Sequence, residues 1–194
     1  LLVVVANVLS QDEYWPQVII GDHCKTYSNE ELEMNDKLIS ELVDNGGKWM
    51  LQTYSGRYIS GQKDTSCSWF CSSNSVTKNG GAMGEEPRWT IQRQTDECNI
   101  RKVVFKASNG KYMCDDTGPV LGVVKLADNV NSRCTLWTPV KNYDGSWSFK
   151  NEWISKQGGW TNRYDQWLSA HRTDYFVVTM SKNLACEKFW LESW

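Results

Sequence analysis

The side chains able to carry catalysis are few and scattered. The two histidines are His23 and His171. His23 adjoins Cys24, but neighbours on an extended strand face opposite ways, so adjacency makes no cysteine–histidine couple. Asp115 and Asp116 sit together in what reads as a turn after a strand. Two carboxylates alone are a weak cation site, and a solvated turn is the simpler expectation. The seven cysteines are Cys24, Cys67, Cys71, Cys98, Cys114, Cys134 and Cys186. Only Cys67 and Cys71 are close, and no second pair accompanies them, so no zinc site is read. On one extended strand they would stand roughly 13 Å apart, too far to bridge each other. No nucleophile elbow, phosphate loop or zinc signature occurs. The expectation is a non-enzymatic chain with no catalytic residue, no metal and no cofactor.

Chemistry of another kind is concentrated between Asn151 and Tyr164, which reads NEWISKQGGWTNRY. Flat rings beside short polar groups suit stacking on a sugar face or anchoring a protein partner. The residues expected to bind ligand are Trp153, Trp160, Asn162, Arg163, Tyr164 and Asp165. The plainer role for the two tryptophans is burial, because most Trp side chains are largely buried. The chain has 11 Trp in all, so abundance alone does not choose between core and binding surface.

The segment stands out because the rest of the chain repeats. Leu51–Ser60 (LQTYSGRYIS) and Phe105–Cys114 (FKASNGKYMC) match at a shift of 54 residues. That shift aligns Gly56 with Gly110 and Tyr58 with Tyr112. A third copy ends in Asp165-Gln166-Trp167-Leu168-Ser169, with Trp167 in the tyrosine slot. A second register aligns Val123–Asn129 with Val177–Asn183, and its first copy reads as Cys67–Asn74. A third closes each unit, as Arg88-Trp89-Thr90-Ile91, Leu136-Trp137-Thr138-Pro139 and Phe189-Trp190-Leu191. Each unit holds about four short strands separated by turn residues. One unit cannot bury its apolar face alone, so three must close on a shared core.

The class that follows is all-β, a β-trefoil of three repeats over about 48–98, 99–145 and 146–194. Leu51, Phe105 and Phe149 should start barrel strands. Ile59, Met113 and Leu168 should form one inward layer, and Trp89, Trp137 and Trp190 another. Gly56 and Gly110 fit turns that need positive φ, and Asp165 is the less easy occupant of that place. Phe149 stands 16 residues before Asp165, whereas Leu51 and Phe105 stand 5 before their glycines, so the third repeat carries 11 extra residues. A smaller excess at Ser75–Glu86 reads as a glycine-rich loop.

Gly56-Arg57-Tyr58-Ile59 and Gly110-Lys111-Tyr112-Met113 resemble the Gly-Lys-Tyr-Leu hallmark of fascin-like β-trefoils. Arg88-Trp89-Thr90-Ile91 is similar to the strand that closes a repeat in that family. The resemblance covers about residues 48–194 and implies the fold. It also implies an alternative function, that of a cytosolic actin-associated protein. Ricin-type trefoils carry Gln-x-Trp in each repeat, whereas here Gln166 directly precedes Trp167.

A leader over residues 11–47 precedes the repeats. Ser28 and Glu31 fit a capping box, and Leu32, Leu38, Ile39, Leu42 and Val43 follow at helical spacing. Asn45-Gly46-Gly47 ends the pattern, giving one amphipathic helix over about 29–44. Residues 1–10 (LLVVVANVLS) read either as a signal-peptide remnant or as an apolar strand. No later apolar run reaches about 18 residues, so no membrane span is expected. The net charge of −2 offers no basic field for nucleic acid. The apolar start and the cysteines together point to secretion. The leading expectation is a secreted, non-enzymatic protein recognising glycan or extracellular protein through loops of its single trefoil. The alternative is an assembly subunit, a homo-oligomer or disulfide-linked partner that docks through its extension and an unpaired cysteine.

Overall fold

The computed structural model describes residues 24, 26–61, 76–79, 87–115, 122–130, 133–157, 160–170, 178–180 and 185–194. His23, Cys67, Cys71, Asp116, His171 and residues 1–10 lie outside them, as does Cys67–Asn74. The helix α1 (Asn29–Val43) precedes the strands β1 (Lys48–Thr53), β2 (Tyr58–Ser60), β3 (Thr77–Asn79), β4 (Arg88–Thr95), β5 (Arg101–Ala107) and β6 (Tyr112–Asp115). Then follow β7 (Gly122–Ala127), β8 (Thr138–Lys141), β9 (Trp147–Gln157), β10 (Trp160–Ser169), β11 (Val178–Met180) and β12 (Phe189–Ser193).

Among the described residues the strands fall into three sets of four, and the pairing closes on itself. β1 pairs with β4, β4 with β5, β8 with β9, β9 with β12, and β12 returns to β1. A bridge from Val103 to Trp137 joins β5 to the approach to β8. Closure satisfies backbone groups that an open sheet would leave at its edges. The chain is a β-trefoil with an N-terminal helix.

The threefold relation is visible in the register. Gln52 faces Tyr58, Lys106 faces Tyr112 and Lys150 faces Trp167, so the three aromatic slots are equivalent. Gly56 and Gly110 turn with φ of 76° and 86°, which a side chain would oppose. In those turns the N–H of Thr53 donates to the Arg57 carbonyl (2.7 Å), and that of Ala107 to the Lys111 carbonyl (2.8 Å).

Ile59, Met113 and Leu168 are fully buried, as expected, and so are Leu51, Phe105 and Phe149, which lie inside β1, β5 and β9 rather than at their starts. Phe105 meets Trp89, Trp137 and Phe149 edge to face, with ring centroids 6.3, 6.4 and 4.8 Å apart. Trp89 and Trp137 are fully buried, and their indole N–H groups donate to the Ile59 and Met113 carbonyls. The third member of that layer is Phe189, not Trp190. Phe189 faces Trp147 as Trp89 faces Trp49 and Trp137 faces Val103. Trp190 is half-buried opposite Gln52. In a ladder of period two, a slip of one residue exchanges faces, and two adjacent aromatics give no sequence cue to which one turns inward.

Two other sequence expectations move. The third strand of the first repeat is Thr77–Asn79, which pairs with β2, so part of the supposed loop at Ser75–Glu86 is strand. Its neighbour Val76 is fully buried, as is Val124 beside β6, and this apolar anchor fixes the slot. Asp115 is a buried strand residue opposite Val124, not a solvated turn.

The helix begins as its sequence indicates. The Glu31 N–H donates to Ser28 Oγ, and the Ser28 N–H donates to Glu31 Oε2. It ends at Val43, one residue earlier than the spacing suggests. Ile39 and Leu42 enter the barrel's own apolar cluster, and α1 rests on β4, β5 and β8. Each such side chain contributes about 1.5–3 kcal/mol on burial. The link to β1 is tight. Gly47 has φ 62°, its carbonyl accepts from the Ile91 N–H, and a Cβ there would collide with the Ile91 carbonyl. Disulfides join Cys24 to Cys98 and Cys114 to Cys134. The first fastens the leader to the turn before β5. Among the described residues, Cys186 is a free thiol.

Phe189→Ala should cost about 3–5 kcal/mol in denaturant unfolding, and Trp190→Ala clearly less; equal losses would restore Trp190 to the inner layer. Asp144 has its pKa lowered from 3.8 to about 2, chiefly by the Lys188 ammonium and then by the Ser146 hydroxyl. A depressed folded pKa means the contribution is present above the unfolded value and fades as pH falls toward 2. Asp144→Asn should therefore flatten the stability profile between about pH 4 and 2, measured by urea unfolding across that range.

Candidate functional site

The three equivalent hairpins differ in length. In the first two, the turn closes directly after Thr53 and Ala107. At the corresponding place in the third stands Asn151, and the ladder continues. Its amide Nδ2 donates to the carbonyls of Arg133, Cys134 and Leu136, each at 3.1 Å. Those carbonyls belong to the short 3-10 turn Arg133–Thr135 and the residue after it. Asn151 is 1% exposed and Gln166, opposite it, 2%, so the base of the hairpin is set into the barrel.

Beyond that base the described residues of the extension, 152–157 and 160–165, are strand rather than irregular loop. The rungs are Glu152–Asp165, Trp153–Tyr164, Ile154–Arg163, Ser155–Asn162, Lys156–Thr161 and Gln157–Trp160. Six rungs make a ribbon on the order of 20 Å long. Among the described residues, this stretch pairs only with itself. β8 meets β9 only at Trp147–Lys150, and β11 meets β10 only at Trp167–Ser169. Asp165 is thus a strand residue opposite Glu152, and no positive-φ turn stands at its place.

Register sorts the six expected site residues into two groups. A ladder puts every second residue on one face. Trp153, Trp160, Asn162 and Tyr164 share the face of Asn151 and Gln166. Arg163 and Asp165 share the other face with Lys150 and Trp167. The ladder therefore brings four of the six together and sets two apart.

The foot of that second face is half-buried. Lys150 Nζ lies 6.0 Å from the Trp167 ring centroid, and Lys106 lies 5.8 Å from that of Tyr112. A cation over an aromatic face at this range is weakly attractive. The first repeat is closed instead. The Tyr58 hydroxyl donates to Glu192 Oε2 at 2.7 Å, and that bond, with burial, raises the phenol's pKa.

Composition gave no hint of a groove of about 360 Å³ where α1 meets β5 and β8. Tyr27, Met34, Leu38, Ile100, Lys102 and Pro139 are among its walls. It exists only because the helix docks, so no local pattern announces it. Among the described residues, no group of three or more His, Cys, Asp or Glu is placed to hold a metal ion. No helix there is long and apolar enough to cross a membrane.

These features define the class: a β-trefoil with one elongated hairpin. Solved structures agree on the fold. The chain resembles the GlcNAcα1-4Gal-releasing endo-β-galactosidase of Clostridium perfringens, with a TM-score of 0.54 and 10% identity, over 75% of this chain and 32% of that one. It thus spans about a third of that enzyme's length. It also resembles the designed threefold-symmetric protein ThreeFoil, with a TM-score of 0.53 and 14% identity, over 75% of this chain and 97% of that one. The BEL β-trefoil gives 0.53 and 11%, over 76% of this chain and 93% of that one. No protein-family model matches the chain, and no curated protein matches it in sequence. At such identities the likeness establishes the fold alone.

The anchoring role of Asn151 is testable by charge. Asn151→Asp turns a donor facing three carbonyls into a buried anion and should cost about 3–5 kcal/mol. Asn151→Leu should cost about 1–3 kcal/mol. Denaturant unfolding of both variants checks the order, and a smaller loss in the aspartate variant would remove the anchor.

Proposed function

We propose that the chain is a secreted, non-enzymatic binding protein that recognises glycan or extracellular protein through the ribbon of its third repeat. One observation carries the reading. Two of three equivalent hairpins end in tight turns, and the third extends by six rungs that barrel closure does not require. The extension is rich in Trp, Tyr and short polar residues, the side chains suited to stacking and directed hydrogen bonding. Secretion is supported by the Cys24–Cys98 and Cys114–Cys134 disulfides, because such bonds form and persist in oxidising compartments. The same bonds weigh against a cytosolic actin-associated role. Membership of the fascin-like branch rests on the Gly56-Arg57-Tyr58-Ile59 and Gly110-Lys111-Tyr112-Met113 hairpins.

A second reading, an assembly subunit, draws on the free thiol of Cys186. The helix of the extension is committed to its own barrel through Ile39 and Leu42, which leaves less of it to dock elsewhere.

The test is binding of the intact chain to a printed array of neutral and acidic glycans and to a panel of recombinant ectodomains. Trp160→Ala should weaken binding about tenfold or more, with the melting temperature nearly unchanged. A large fall in melting temperature with unaltered binding would give Trp160 a packing role instead.

A further inference from the structure

We infer that the ligand face of the ribbon is its uncharged face and that it takes a neutral oligosaccharide. The inference rests on the ribbon being the binding site and adds which side of it binds and what class of ligand it takes. The register is continuous from Lys150–Trp167 to Gln157–Trp160, with no bulge to exchange the faces. One face of the extension therefore holds Trp153, Ser155, Gln157, Trp160, Asn162 and Tyr164. These are three aromatic and three neutral polar residues, with no charge and no aliphatic side chain. The other holds Glu152, Ile154, Lys156, Thr161, Arg163 and Asp165, of which four are charged and one is aliphatic.

The order along the uncharged face is as specific as its composition. An aromatic pair, Trp153–Tyr164, comes first. A hydroxyl and amide rung, Ser155–Asn162, follows, and then an amide beside an aromatic, Gln157–Trp160. The two aromatic rungs are four apart, about 14 Å. Two stacking platforms with donors and acceptors between them match a saccharide chain, which alternates C–H faces with hydroxyl edges. The amides and the hydroxyl supply both donors and acceptors, as a sugar hydroxyl requires. A sialylated or sulfated chain would need a cation, and the ladder puts Lys156 and Arg163 on the opposite side. Trp and Tyr also anchor protein partners, so the choice of a saccharide rests on the uncharged hydroxyl and amide rung between the two aromatic rungs.

The experiment compares the intact chain with six variants on an array of neutral, sialylated and sulfated glycans. Trp153→Ala, Trp160→Ala and Asn162→Ala should each lower affinity for neutral glycans about tenfold or more. Arg163→Ala and Asp165→Ala should leave it within about twofold, and added salt should not weaken it. Trp153→Tyr should keep most binding, which separates stacking from a folding defect in Trp153→Ala. Binding confined to acidic glycans, or lost in Arg163→Ala but kept in Trp153→Ala, would overturn the face while leaving the ribbon as the site. Binding that no ribbon variant alters would overturn the ribbon itself. No glycan bound at all, with an ectodomain captured, would overturn the ligand class.

Discussion

Phe105 sits at the meeting of Trp89, Trp137 and Phe149, and the barrel is organised around that aromatic cluster. Each repeat alone is a short meander with one apolar face. Such a unit has no stable partner for that face until the other two arrive. Edge-to-face contacts fix ring angles as well as distances, so the cluster sets how the repeats are oriented. The closure of β12 on β1 is the same constraint expressed in hydrogen bonds. The closed scaffold tolerates differences at its periphery, such as a turn in two repeats and a ribbon in the third.

The helix and the disulfides extend that constraint outward. Ile39 and Leu42 complete the apolar cluster, so α1 is part of the core rather than an appendage. Arg101 pairs with Asp36 at 2.7 Å and Asn35 Nδ2 donates to the Arg101 carbonyl, tying the helix's outer turns to β5. Such exposed pairs add little stability but help fix orientation. The groove between α1 and β8 is a by-product of this docking.

The ribbon depends on the barrel in a different way. A two-stranded ribbon is only marginally stable in water by itself. Here its first rungs are continuous with barrel strands, and Asn151 fastens its root to the Arg133–Leu136 carbonyls. A rigid root gives the ladder a fixed register, and the register divides its side chains between two faces. That division places Trp153, Asn162 and Tyr164 at register positions of one face.

Sequence by itself determined the period, the helix and most of the core. Gly56 and Gly110 require positive φ, the Ser28–Glu31 pair caps a helix, and Leu51, Phe105 and Phe149 recur at matching offsets. These are local or periodic signals, carried by residue type and spacing. It also located the 11-residue excess, because a departure from a period is itself legible. Tertiary structure decided what spacing cannot encode. It put Phe189 rather than Trp190 in the core, and it made the excess a ladder. It joined Cys24 to Cys98 and separated Arg163 and Asp165 from the aromatic residues beside them. Each of those outcomes depends on strand register or on contacts between distant segments, and a linear sequence specifies these only through the packed whole.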